Sequence, residues 1–179
     1  MFQLKRRRNQ RTNYKRRLGL LKSGKPRLVV RKTNTQIIGQ IVEYNVSGDK
    51  TLIQADGNDI RKAGWKAPTK NLPAAYLIGL LLGSKAKEEG VTEVVLDIGL
   101  QTTTQENKMY ALAKGVLDAG VDLPLGENVM PSEDRIKGNH ISNYATENPD
   151  NFSDYGIDPK NIQQHFEDIK KKIMVKKDE

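Results

Sequence analysis

Thirteen of the first 32 residues are lysine or arginine and none is acidic; the first acid is Glu43. Cations at this density repel one another, so the stretch cannot collapse on itself and calls for a polyanion outside the chain. The other 147 residues carry 17 basic and 22 acidic groups, so the formal net charge of +8 is a strongly cationic arm on a mildly acidic body. Any hydrophobic core therefore has to be sought downstream of the arm. A chain of 179 residues is long enough to build one core unaided.

Several classes drop out on residue types alone. No cysteine is present, which excludes a disulfide framework, thiolate catalysis and any Cys-ligated metal. The longest uncharged apolar stretch, Asn71 to Ser84, is fourteen residues, too short to span a bilayer. The basic start is not followed by an apolar segment, so no secretory signal and a cytoplasmic setting are expected. The arm has too few apolar anchors for a membrane surface.

Nucleic acid is the polyanion that the arm's chemistry suits best. Arginine outnumbers lysine eight to five among the thirteen cations, and its planar fork matches phosphate and base edges. Tyr14 offers a stacking ring, and Asn9, Gln10, Thr12 and Asn13 offer hydrogen bonds that a plain counter-charge would not need. The charge pattern makes Lys5, Arg6, Arg7, Arg8, Arg11, Tyr14, Lys15, Arg16, Arg17, Lys22 and Lys25 candidate RNA-binding residues. Arg27 and Arg31 lie four apart on one expected strand, so both are expected on the same face, reaching RNA.

Local patterns lay out the rest. Tyr14, Leu18 and Leu21 form one helical stripe that should dock the end of the arm, which begins irregular and stops at Ser23-Gly24. Arg27–Lys32, Gln36–Tyr44 and Thr51–Ala55 read as strands of an antiparallel meander, with the pairs Ile37-Ile38 and Ile41-Val42 expected to be covered on both faces. Pro73–Glu89 reads as a helix closed by Gly90, with Ala75, Gly79 and Gly83 forming a smooth packing groove. Val91–Leu100 reads as a buried strand of the parallel kind, and Thr103 with Glu106 as a capping box opening the next helix. After Pro131 come short helices started by Ser132 and by Asp158-Pro159, the second with an Ile162, Phe166, Ile169, Ile173 stripe. The expected architecture is α/β: a mixed sheet with an antiparallel meander and packed helices. Its divisions are a basic extension over 1–24, a core over 25–130 and a helical C-terminal extension over 131–179.

Enzymatic signals are weak. Gly19 to Lys25 comes near a phosphate-binding loop, but Pro26 stands where a hydroxyl is needed and no strand precedes it. Asp97 and Glu106 suggest a two-metal nuclease, but such a site needs further carboxylates, and nothing in the sequence assigns Asp56, Asp59 or Glu93 to it. His140 and His165 lack spaced partners for a metal. No catalytic residue and no cofactor is expected.

One set of segments carries a resemblance. The runs Gly24 to Arg31, Ile37 to Tyr44, Arg61 to Lys66, Asn71 to Tyr76, Val95 to Leu100, Leu117 to Gly120 and Pro131 to Gly138 resemble the large-subunit ribosomal protein 18 family, in its archaeal and eukaryotic branch. That resemblance implies a core of ribonuclease H-like architecture without catalytic acids. It also implies a ribosomal constituent that binds 5S rRNA in the central protuberance, beside large-subunit rRNA and neighbouring large-subunit proteins. It brings Arg27, Arg31, Lys32 and Asn34, on and beside the first strand, into the expected RNA contact. The segment Gln101 to Lys108, usually basic and RNA-touching in that family, holds one base and one acid here, so strong phosphate contact by the loop is not expected. The competing readings are a ribonuclease H-like nuclease and a free-standing RNA-binding regulator.

Overall fold

The computed structural model describes residues 3–152 and 155–175. In chain order the first half holds α1 (Lys5–Arg8), α2 (Tyr14–Leu21), β1 (Arg27–Lys32), β2 (Ile37–Glu43), β3 (Lys50–Asp56), α3 (Gly57–Lys62) and α4 (Leu72–Glu88). The second half holds β4 (Val95–Asp97), α5 (Lys108–Asp118), α6 (Glu133–Lys137), α7 (Asn139–Glu147) and α8 (Ile162–Val175).

The strands form one mixed sheet in the order β3-β2-β1-β4, antiparallel except for the parallel β1–β4 pair. The expected α/β class is therefore observed. Alternation along β2 turns Ile37, Gly39 and Ile41 toward the helices and Ile38, Gln40 and Val42 to the opposite face. α4 and α5 cover only the first of these faces. Val42 is nonetheless 6% exposed, and on that face it lies among side chains of the arm and the β1 arginines instead of under α4 or α5.

α4 forms where its local signals say. Asn71 accepts from the Ala74 amide at 2.8 Å, Pro73 sits in the first turn, and Gly90 leaves the helix at φ +76°. Its small-residue groove is used inside the molecule. A Cβ on Gly79 would overlap the Leu112 carbonyl of α5, and one on Gly115 would overlap the Tyr76 carbonyl of α4. The two backbones are in direct contact, so no methyl fits between them. Gly79→Ala is expected to destabilise the fold by about 1–3 kcal/mol. Gly19→Ala, in exposed α2 with nothing near the added atom, is expected to be neutral or slightly stabilising. Denaturant titration of both variants checks this; equal midpoints would contradict the packing argument.

Four expectations are corrected. The strand read over Val91–Leu100 is only β4, because its neighbours pair elsewhere or turn. Val94 donates to the Asp122 carbonyl and Asp122 to that of Thr92, while the Gly99 amide turns back onto the Asp97 carboxylate. The Thr103–Glu106 box does not form: Asn107 caps α5, accepting from Met109 at 2.8 Å and Tyr110 at 3.2 Å. Glu106 is held at φ +54° and pairs with Arg135. The arm does not begin irregular, since Lys5–Arg8 makes one helical turn. Nor do leucines dock α2: it buries no residue, and Leu18 is 59% exposed.

The C-terminal helix is tied into the same core. Ile162, Phe166, Ile169 and Ile173 are all buried in one cluster with the α4 side chains, each worth up to about 1.5–3 kcal/mol of burial. Trp65 stacks on His165 at 5.0 Å, and the Lys66 amide donates to His165 Nε2 at 3.2 Å. That bond requires the neutral ring. Burial first, then the charges of Lys66 and Lys172, lowers the His165 pKa against the opposing pull of Asp168. The unfolded chain therefore takes the proton at higher pH than the folded one. The His165 contribution is complete above the ordinary histidine value near 6.5 and is lost as pH falls below it through the folded value. Thermal melts from neutral to mildly acidic pH should show a steeper fall for the wild type than for His165→Gln. Parallel curves would remove His165 from that role.

Candidate nucleic-acid interface

The face of the sheet left bare by α4 and α5 is where the arm lies. Between them runs a cleft of about 690 Å³. Arg6, Arg11, Tyr14, Arg16 and Arg17 from the arm line it, opposite Arg27 and Arg31 from β1. The arm reaches this position by local means. Gln10 turns the chain at φ +52°, Arg6 Nε donates to the Thr12 hydroxyl at 2.9 Å, and Asn13 caps α2 by accepting from the Arg16 amide at 3.1 Å. Arg16 donates to the Gly99 carbonyl at 3.2 Å.

A ladder of alternating charges crosses the cleft. Arg17 meets Asp49 at 2.7 Å, Asp49 meets Arg27 at 2.6 Å, Arg27 meets Asp97 at 2.7 Å and Asp97 meets Arg31 at 3.3 Å. Hydrogen bonding from Arg17, then the nearby charge of Arg27, holds the Asp49 carboxyl below the usual carboxylate range. The same bond holds the Arg17 pKa above its ordinary value. Three cations against two anions leave the ladder positive, with its forks fixed in direction before any ligand arrives. Gln40 and Gln54 add a cross-strand amide pair at 2.7 Å on this side of the sheet.

The candidate residues separate into three groups. Seven line the cleft, as described. Lys5, Arg7, Arg8, Lys15 and Lys22 are exposed along the arm outside it. Lys25, Lys32 and Asn34 lie elsewhere: Lys25 is paired with Glu93, Lys32 ends β1 beside a second cavity, and Asn34 is in the exposed β1–β2 turn.

Arg27 stands apart within the first group. Its side chain is 3% exposed and both terminal nitrogens are paired with acids, so it anchors the ladder. Arg31, with a side chain 41% exposed, is presented. Sequence reasoning missed Asp49 and Gln40. Alternation along β2 was a signal for Gln40; nothing local marked Asp49.

The carboxylates of the nuclease reading are committed to other partners. Asp97 serves Arg27, Arg31 and the Gly99 amide, and Glu106 serves Arg135. Among the described residues, no group of three or more His, Asp or Glu side chains could hold a metal ion. No described helix is long and apolar enough to cross a membrane.

Comparison with known proteins places the chain in a family. Residues 1–90 match the family described as ribosomal large subunit proteins 60S L5 and 50S L18. The large ribosomal subunit protein uL18 of Natronomonas pharaonis is 46% identical over 170 residues, covering 95% of this chain and 92% of that protein. That of Thermofilum pendens is 44% identical over 181 aligned positions, with the same coverage of 95% and 92%. The chain therefore belongs to the uL18 family of large-subunit ribosomal proteins, structural constituents of the ribosome that associate there with rRNA and other ribosomal proteins.

Proposed function

We propose that this chain binds 5S rRNA through its basic arm and the open face of its sheet, helping to attach that RNA in the central protuberance. The arrangement that carries the reading is the cleft: an acid-free arm laid along the one sheet face that α4 and α5 leave bare. Lys5, Arg6, Arg7, Arg8, Arg11, Lys15, Arg16 and Lys22 meet phosphates, Tyr14 stacks on a base, and Arg31 reaches the RNA from the sheet. Arg17 and Arg27 act with Asp49 and Asp97 to hold the arm in place. Residues 1–24 act as the RNA-binding extension, 25–130 as the supporting core and 131–179 as an extension docked on it.

RNA of this kind is recognised by shape and by phosphate, sugar and unstacked-base contacts, which suits a cleft lined by guanidinium forks, a tyrosine and amides. Filter binding to a 5S rRNA transcript, with an unrelated structured RNA as competitor, tests the assignment. The expected result is retention of 5S rRNA against excess competitor. Equal displacement by the unrelated RNA would overturn the 5S assignment and leave only general RNA affinity. Co-sedimentation with large subunits separates the reading from that of a free-standing regulator.

A further inference from the structure

A second cavity, of about 610 Å³, opens at the far end of β1 between the start of α5, α7 and the pair Phe152 and Tyr155. This lies within the range of pockets that hold small organic groups. One wall is aromatic. Tyr144 meets Phe152 edge-on at 6.0 Å and Phe152 meets Tyr155 at 5.2 Å. Asn151 and Asn71 donate to the Tyr144 and Tyr155 hydroxyls at 3.0 and 3.1 Å, so the rings are held, while Tyr144 stays 49% exposed.

The opposite rim is cationic. Glu106 and Arg135 neutralise each other at 2.7 Å, leaving Lys32 and Lys108, which have no acid partner among the described residues. Burial, then the charges of Lys70 and Lys32, lowers the Lys108 pKa. Thr102, Thr104 and Gln105 line the same space, and their side chains make no hydrogen bond among the described residues. The loop is held at a strained point, Glu106 at φ +54°, with its amide donating to the Val129 carbonyl at 3.1 Å. The same loop joins the two sites: Ile98 to Gln101 line the arm–sheet cleft, and from Thr102 onward it lines this cavity.

We propose that this cavity seats one unpaired nucleotide of the RNA lying on the open sheet face, its base against Tyr144 and Phe152 and its phosphate between Lys32 and Lys108. The seat rests on the RNA-binding reading above and adds Tyr144, Phe152 and Lys108 to it, with Lys32 at the end of β1 shared with the sheet. Aromatic rings beside unneutralised cations suit a nucleotide, which carries a flat apolar base and a phosphate on one group.

Binding of the full chain to a 5S rRNA transcript, measured across a salt series, tests it. Tyr144→Ala should weaken binding by about 5- to 150-fold, the loss of one stacked base, with the salt slope unchanged. Tyr144→Phe should bind as the wild type does. Lys108→Ala should reduce the slope magnitude by about one. Photocrosslinking of the wild-type complex should place an RNA adduct on Tyr144 or Phe152, a result that does not depend on any variant folding. Variants that bind as the wild type, or adducts confined to the arm and sheet, overturn the seat and leave the RNA reading intact. A wild type that does not bind 5S rRNA overturns both. Crosslinks from these residues to a neighbouring protein in reconstituted subunits would assign the cavity to an acidic peptide instead.

Discussion

Removal of residues 2–17 is expected to weaken 5S rRNA binding by on the order of a thousand-fold near physiological salt, while leaving the body folded. Eight of the thirteen leading cations lie in that segment. If about six to ten of the thirteen neutralise phosphates, log K of the full chain falls with log salt at a slope of about −4 to −9. The truncated chain should retain a slope of only about −1 to −3, from the few cations left. Its melting temperature should hardly move, because α1 and α2 contribute no buried residue and Asp49 keeps its bond to Arg27. Gel-shift titrations at four or five salt concentrations, beside thermal melts, measure both quantities. RNA binding by the full chain that ignored salt would contradict the electrostatic account at its root.

Arg27→Ala is expected to cost about 3–5 kcal/mol of stability, the usual penalty for leaving a buried charge without its partner. The Asp97 side chain is 11% exposed and would keep only the longer contact to Arg31 and the Gly99 amide. Against a typical total stability of about 5–15 kcal/mol, the loss is large enough to unfold part of the population at working temperature. Arg31→Ala, with a side chain 41% exposed, should cost under about 1 kcal/mol and show its effect in RNA affinity instead. Chemical denaturation separates the two substitutions. A double substitution, Arg27→Met with Asp97→Asn, should recover part of the loss because no unpaired buried charge remains. Equal, small losses at both arginines would mean that the ladder is not load-sharing and that Arg27 is free to meet RNA.

The contrast between these two arginines shows where local reading stops. Strand alternation placed both on one face, and both are there. Which of them is consumed depends on Asp49 and Asp97, 22 and 70 residues away in sequence. No window around β1 contains that information. The same holds for the start of α5, where Thr103 and Asn107 are both residues that favour a cap. Asn107 is used because Glu106 is turned by the hydrogen bond from its amide to the Val129 carbonyl and by its pairing with Arg135. The length of β4 likewise followed from partners outside the strand.

The basic arm, the three-strand meander, α4 with its caps and the apolar stripe of α8 were legible from local sequence. Each rests on interactions within a few residues, where charge density, side-chain periodicity and turn chemistry act directly. The tertiary fold was needed for the arginine–aspartate ladder that ties the arm to the sheet, for the burial of Arg27 beside an exposed Arg31, and for the cationic, aromatic cavity. Those outcomes require groups far apart in the chain to meet at hydrogen-bond distance. Only the packing of α4 and α5 on one face of the sheet, and the placing of α7 across the cavity from the start of α5, brings them there.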